Sequence, residues 1–152
     1  MNEESEMRQC FIDTNLLVYA NDQREIDKQS RAIEVIQQLM RAQNGMLSIQ
    51  VLQEYANVAI KKLQQEPAVV LRQLKLLESL RVISPTPAMV RRSIEICVSY
   101  QVGFWDAGII AAAEAGDADL ILSEDLNAGQ FYAGIEIINP FSADFDLSLY
   151  LK

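Results

Sequence analysis

The chain has 152 residues, half of them hydrophobic, and its 21 acidic and 13 basic residues leave a net charge of −8. That is enough apolar material for one packed domain and too acidic a balance for a general nucleic-acid-coating surface. No histidine is present, which excludes Ser-His-Asp and Cys-His nucleophilic catalysis, histidine-driven RNA cleavage and histidine-ligated zinc hydrolysis.

Residues 1–8 form an acidic, polar head, unlike the basic-then-apolar start of a secretion signal. No apolar run approaches the roughly 20 residues of a membrane span. A flexible head, a single domain over residues 9–152, no membrane and a cytoplasmic location are expected. Gln9 to Ile12 is a short apolar run ending at Asp13-Thr14-Asn15, which predicts a buried strand with the aspartate at its carboxyl end. Leu16 to Ala20 begins a short helix. Ala32, Val35, Ile36 and Leu39 recur at helical spacing and predict an amphipathic helix over 27–42, ended by Asn44-Gly45. Met46 to Ile49 reads as a second strand. The next helix covers about 50–63, with Val51, Leu52, Tyr55, Val58, Ala59 and Leu63 on its apolar face. Pro67 opens a helix running to about Leu80.

Arg81 to Ser84 reads as a short strand, bounded by Pro85 and Pro87, and a helix follows over about 88–100. Trp105 to Ala115 is an alanine-rich helix stopped by Gly116. Leu120 to Leu122 is a strand, 127–130 a loop and Ile135 to Ile138 a last strand, and the tail from Asn139 has no clear pattern. The strands alternate with helices and lack polar alternation. This predicts an α/β protein with a mainly parallel sheet of about five short strands, covered by helices on both faces.

Four carboxylates stand at the ends or inner faces of these segments: Asp13, Glu54, Asp106 and Asp125. A charged acid against apolar groups needs a partner, and no basic residue lies close to any of them in sequence. A hydrated divalent metal is the simplest partner. Asp13 and Asp125 follow apolar strands, at the sheet edge where open α/β folds bind ligands. Asp106 shares a helix face with Ile109, Ile110 and Ala113, and Glu54 lies between Val51 and Val58 at the edge of its stripe. Taken singly, each has an ordinary alternative: a helix cap for Asp13, a dipole charge for Asp106, a solvated edge for Glu54, a turn former for Asp125. Four such coincidences together are improbable. Asn15 and Ser123 are placed to orient the carboxylates, and Thr14 to orient or simply cap. Glu124 is expected to point away from its neighbour Asp125. Phe104 and Trp105 read as core or rim packing rather than a base platform, Tyr19 and Tyr55 as core, and Lys61-Lys62 and Arg91-Arg92 as solvated pairs. Cys10 and Cys97 read as buried free thiols.

In order, Phe11-Ile12-Asp13-Thr14-Asn15, Gln53-Glu54-Tyr55, Trp105-Asp106-Ala107 and Leu122-Ser123-Glu124-Asp125-Leu126 resemble the motifs of the PIN-domain family. More narrowly, the chain is similar to VapC-type toxin ribonucleases of toxin–antitoxin pairs, over about residues 9 to 140. The resemblance implies a three-layer α/β/α fold and an endoribonuclease dependent on Mg²⁺ or Mn²⁺. It makes Asp13 and Asp106 the principal metal-binding aspartates. Glu54 and Asp125 become the second and fourth acids, supported by Asn15 and Ser123. It further implies a homodimer held inactive by a cognate antitoxin. The acidic Glu124 departs from the family pattern.

The expected chemistry is attack on an RNA phosphodiester by metal-activated water. Asp13 and Asp106 would anchor the metal, Glu54 would orient the water or act as base, and Asp125 would complete a second ion's site. Gathered carboxylates repel, so at least one raised pKa is expected, which an arginine from a partner would relieve. Two alternatives remain at this level: a catalytically silent binding module on the same fold, and a metal-dependent DNA nuclease or phosphatase.

Overall fold

The computed structural model describes residues 7–150. Most of the expected acidic head, residues 1–6, lies outside the described residues. Among the described residues six strands form one sheet: β1 (Cys10–Ile12), β2 (Gly45–Ser48), β3 (Arg81–Ile83), β4 (Leu120–Leu122), β5 (Phe131–Tyr132) and β6 (Ile135–Ile138). Their order across the sheet is β3-β2-β1-β4-β6-β5. All pairings are parallel except β5 with β6. From β1 the chain builds outward through β2 and β3, then returns to place β4 on the other side of β1. The strand order therefore switches between β1 and β4, the place where open α/β sheets bind ligands.

Successive strand residues face opposite sides of a sheet. Every residue of β1, β2 and β4 is buried, so both faces are covered and the fold is a three-layer α/β/α sandwich. The covering helices are α1 (Thr14–Ala20), α2 (Ile26–Ala42), α3 (Ile49–Lys61), α4 (Pro67–Leu77), α5 (Pro87–Tyr100) and α6 (Phe104–Ala115). Among them α1 packs on α2 and α3, and α5 packs on α6. Side-chain caps from Asp13, Ser48 and Thr86 start α1, α3 and α5. Among the described residues no single helix is long and apolar enough to cross a membrane.

The sheet has one strand more than the five expected. Phe131–Tyr132 is only two residues long and joins β6 through Ala133-Gly134, both at positive φ. This is a tight hairpin whose first turn residue is an alanine, so the usual turn signal is missing. Helix α4 ends at Leu77 rather than near Leu80; a turn then carries the buried Leu80 into the core. The tail closes in a short 3-10 helix, Leu147–Tyr150, with Leu147 buried. Cys10 is buried as expected, Cys97 only half-buried, and both are free. Phe104 and Trp105 do not pack into the core; both are exposed.

Candidate active site

The site grows from the switch point. Ile12 of β1 is opposite Leu122 of β4, so the next residues, Asp13 and Ser123, emerge side by side. Ser123 Oγ donates to Asp13 Oδ2 at 2.7 Å, and the Thr14 amide donates to Asp13 Oδ1 at 2.7 Å. Asp13 thus caps α1 and belongs to the cluster at the same time; the two roles do not compete. It is 6 % exposed. Burial pushes its carboxyl up to about 6, and the charges of Asp125 and Glu54 add to the rise, against the opposing bonds from Ser123 and Thr14.

Ser123 also organises the following turn. Its Oγ accepts the amides of Asp125 and Leu126, each at 3.2 Å. Asn15, one residue into α1 from Thr14, donates from Nδ2 to Asp125 Oδ2 at 3.1 Å and accepts the Glu124 amide at 3.4 Å. Both supporting residues read from the sequence therefore touch the acids they were expected to orient.

Helix α3 supplies Glu54, half-buried. Thr14 Oγ1 donates to its Oε2 at 2.7 Å, and Gln50 Nε2 to its Oε1 at 2.7 Å. Gln50 Nε2 also donates to the Trp105 carbonyl at 2.9 Å, tying α3 to the first turn of α6. Gly108 leaves the room this needs: a Cβ there would fall 2.5 Å from Gln50 Oε1. The sequence reading missed Gln50, although its spacing of four from Glu54 on a helix was the available signal.

Asp106 stands in the first turn of α6. It was expected near the middle of the inward face. Instead it is exposed, while Ala107, Ile109 and Ile110 carry the buried contacts. The first turn of α6 lies at the rim, so its acid opens to solvent. Its carboxyl is nonetheless raised, by partial burial first and then by Asp125 and Glu54. Asp13 and Asp106 thus sit in the field of the same two acids, and the four carboxylates form one cluster. Thr14, Asn15, Glu54 and Asp125 open onto a cleft of about 410 Å³, with Lys62 also among its lining residues. Among the described residues, no three acidic or cysteine side chains stand close enough to ligate one ion directly.

Glu124 turns away from the cluster, as expected. Lys28 Nζ meets its Oε2 at 2.7 Å, and the Tyr19 hydroxyl donates to its Oε1 at 2.9 Å. Tyr19 is therefore only half a core residue: its ring packs edge-on against Phe141 while its hydroxyl serves this network. Arg92, expected as a solvated residue, is paired with Glu114 at 2.7 Å.

The PIN domain family model matches residues 10–133, a span that includes all four carboxylates. The chain belongs to the PIN domain family. No curated protein sequence matches it. Solved structures similar to this PIN domain include a toxin–antitoxin complex from Klebsiella pneumoniae, at 18 % identity and a TM-score of 0.64, over 88 % of this chain and 98 % of that one. VapC20 of Mycobacterium tuberculosis, a sarcin-ricin loop cleaving toxin, is 19 % identical with a TM-score of 0.61, over 84 % and 99 % of the two chains. DNA-bound VapBC from Salmonella typhimurium is 18 % identical with a TM-score of 0.64, over 86 % and 97 %. At these identities the likeness speaks to the fold of the PIN domain.

Proposed function

We propose that this PIN domain is a metal-dependent endoribonuclease and the toxin of a toxin–antitoxin pair. The observation that carries the reading is the cluster itself. Four carboxylates from four separate segments lie in one another's field around the sheet's switch point, and the hydrogen-bond donors to Asp13, Glu54 and Asp125 are all neutral groups: Ser123, Asn15, Thr14 and Gln50. A structural acid cluster would be expected to recruit cations of its own. VapC20, a sarcin-ricin loop cleaving toxin, and the toxin–antitoxin complex from Klebsiella pneumoniae support the same reading.

An all-oxygen donor set fits a hard cation. Mg²⁺ keeps several waters and takes one or two carboxylates directly, so a site without three converging ligands suits it. Asp13, Asp106 and Asp125 are the residues that would hold Mg²⁺ or Mn²⁺. When bound, such an ion supplies positive charge for the phosphate and acidifies water near neutral pH. The chain's own groups do the positioning. Ser123 and Thr14 hold Asp13 in one rotamer, and Asn15 fixes Asp125. With Thr14 and Gln50 on its two oxygens, Glu54 is oriented to accept a proton from the attacking water. The partners we propose are RNA, a second copy of the chain and a cognate antitoxin, whose arginine would pair with the acids and block the site.

Labelled transfer RNA, ribosomal RNA fragments and single-stranded DNA, incubated with Mg²⁺, Mn²⁺ or EDTA, test the reading. RNA should be cut only with metal. Asp106→Asn, at an exposed position, should keep the wild-type circular dichroism spectrum and lose more than about 100-fold in rate, beyond the usual cost of losing an outer-shell partner. A folded Asp106→Asn that still cuts in a metal-dependent way would overturn the site assignment.

A further inference from the structure

Trp105 is the only tryptophan in the chain and it is 68 % exposed; its neighbour Phe104 is 42 % exposed. Single exposed apolar side chains are ordinary, but two adjoining aromatic rings make a contiguous patch. The two rings meet edge-to-face, with centroids 5.1 Å apart and planes at 78°, so Phe104 braces the indole. The backbone at this point is also fixed. Gln50 Nε2 holds the Trp105 carbonyl and the Glu54 carboxylate together, at 2.9 and 2.7 Å, and Asp106 is the next residue. The aromatic pair is therefore built onto the rim of the acid cluster.

We infer that Trp105, braced by Phe104, is a stacking platform for an unpaired nucleobase next to the phosphodiester held at the acid cluster; this rests on the nuclease reading above. The electrostatics favour a base as the occupant. Nucleic acid is usually held by cations on its phosphates, but of the two described basic residues lining the cleft beside the acids Arg24 is paired with Asp22 and only Lys62 stands outside an ion pair, and the whole chain carries −8. Stacking on a π-face does not depend on net charge and accepts any base. It requires the base to be out of a duplex, so the inference selects single-stranded or looped RNA.

The lone tryptophan makes the test direct. Asp106→Asn, in Mg²⁺, is titrated with a short single-stranded oligoribonucleotide, with the same backbone lacking bases, and with a blunt duplex, while tryptophan emission and oligonucleotide anisotropy are recorded. Quenching by the single strand alone is expected. In the same background Trp105→Ala should weaken binding roughly 5- to 150-fold, with Trp105→Phe recovering most of it; an exposed side chain can be truncated without opening the core. Binding without quenching, or unchanged binding by Trp105→Ala, would overturn the inference. So would emission that follows protein concentration rather than oligonucleotide, which would assign the patch to a second copy of the chain. RNA cutting by the wild type alongside a silent tryptophan removes the platform and leaves the nuclease. Quenching by a wild-type protein that cuts nothing removes the nuclease and leaves a base-binding surface. Absence of both binding and cutting removes both.

Discussion

Asp13 sets the chemistry of the site and its stability in opposite directions. Burial pushes its carboxyl from an ordinary 3.8 up to about 6. Between those pH values the folded protein holds a proton that the unfolded chain has released. Stability of the metal-free protein therefore falls as pH rises through this window, and the deficit, about 3 kcal/mol from about 1.4 per unit, persists above it. Asn fits the same place, since it caps helices as well as Asp does and can pair with Ser123. In EDTA, Asp13→Asn should raise the melting temperature by roughly 6–12 °C at pH 8 and leave it unchanged near pH 4, while losing cleavage. A lower melting temperature at pH 8 would show that the charge at Asp13 is not the strained group. Adding Mg²⁺ or Mn²⁺ to the wild type at pH 8 should recover part of the deficit, because a ligand that binds only the folded form stabilises it; the same addition should do little for Asp106→Asn.

At the scale of elements, the turn after β4 is held from both sides. Asn15 of α1 grips Asp125 and the Glu124 amide, and Lys28 of α2 with Tyr19 of α1 grips the Glu124 side chain. Lys28 also lies 4.5 Å above the Tyr19 ring. Glu124 thus spends its charge on a latch rather than adding a fifth acid to the cluster, which explains a residue that looked out of place in the sequence. A double-mutant cycle on Lys28→Met and Glu124→Gln should give a coupling of roughly 0.5–1 kcal/mol in thermal unfolding, kept small by solvent because Lys28 is 36 % exposed. Both single variants should cut RNA several-fold more slowly by letting Asp125 wander; full activity in both would reduce the latch to surface decoration. This latch was illegible in the sequence because Lys28 and Glu124 are far apart in the chain and only the fold joins them. The apolar runs before Asp13 and Asp125 were legible, since a fully buried strand leaves an unbroken hydrophobic signature. The two-residue strand β5 leaves none. Glycine 108 carries no signal either until Gln50 is seen filling the space beside it.

For the whole molecule, the net charge of −8 constrains how the proposed RNA substrate would bind. Arg24, Lys28 and Arg92 are committed to carboxylates. Lys62, at the far end of α3 from Gln50, lines the cleft that also contains Glu54 and Asp125. The sequence placed Lys61-Lys62 on a solvated face; the fold puts Lys62 on the cleft beside the acids, where under the proposed nuclease reading it would meet a neighbouring phosphate. With Lys62 the one basic residue on the described cleft lining outside an ion pair, the salt dependence should be shallow. For single strands the slope of log K against log salt is about −0.7 per phosphate neutralised, so one or two contacts predict a slope between roughly −0.7 and −1.4. Lys62→Ala should flatten it by about 0.7 and weaken all sequences alike, whereas Trp105→Ala should weaken binding without changing the slope. Anisotropy titrations of Asp106→Asn at constant Mg²⁺ and rising KCl measure both. A slope steeper than about −4 would demand more phosphate contacts than this cleft offers, and basic residues away from it, such as Arg91, would then have to share in holding the RNA.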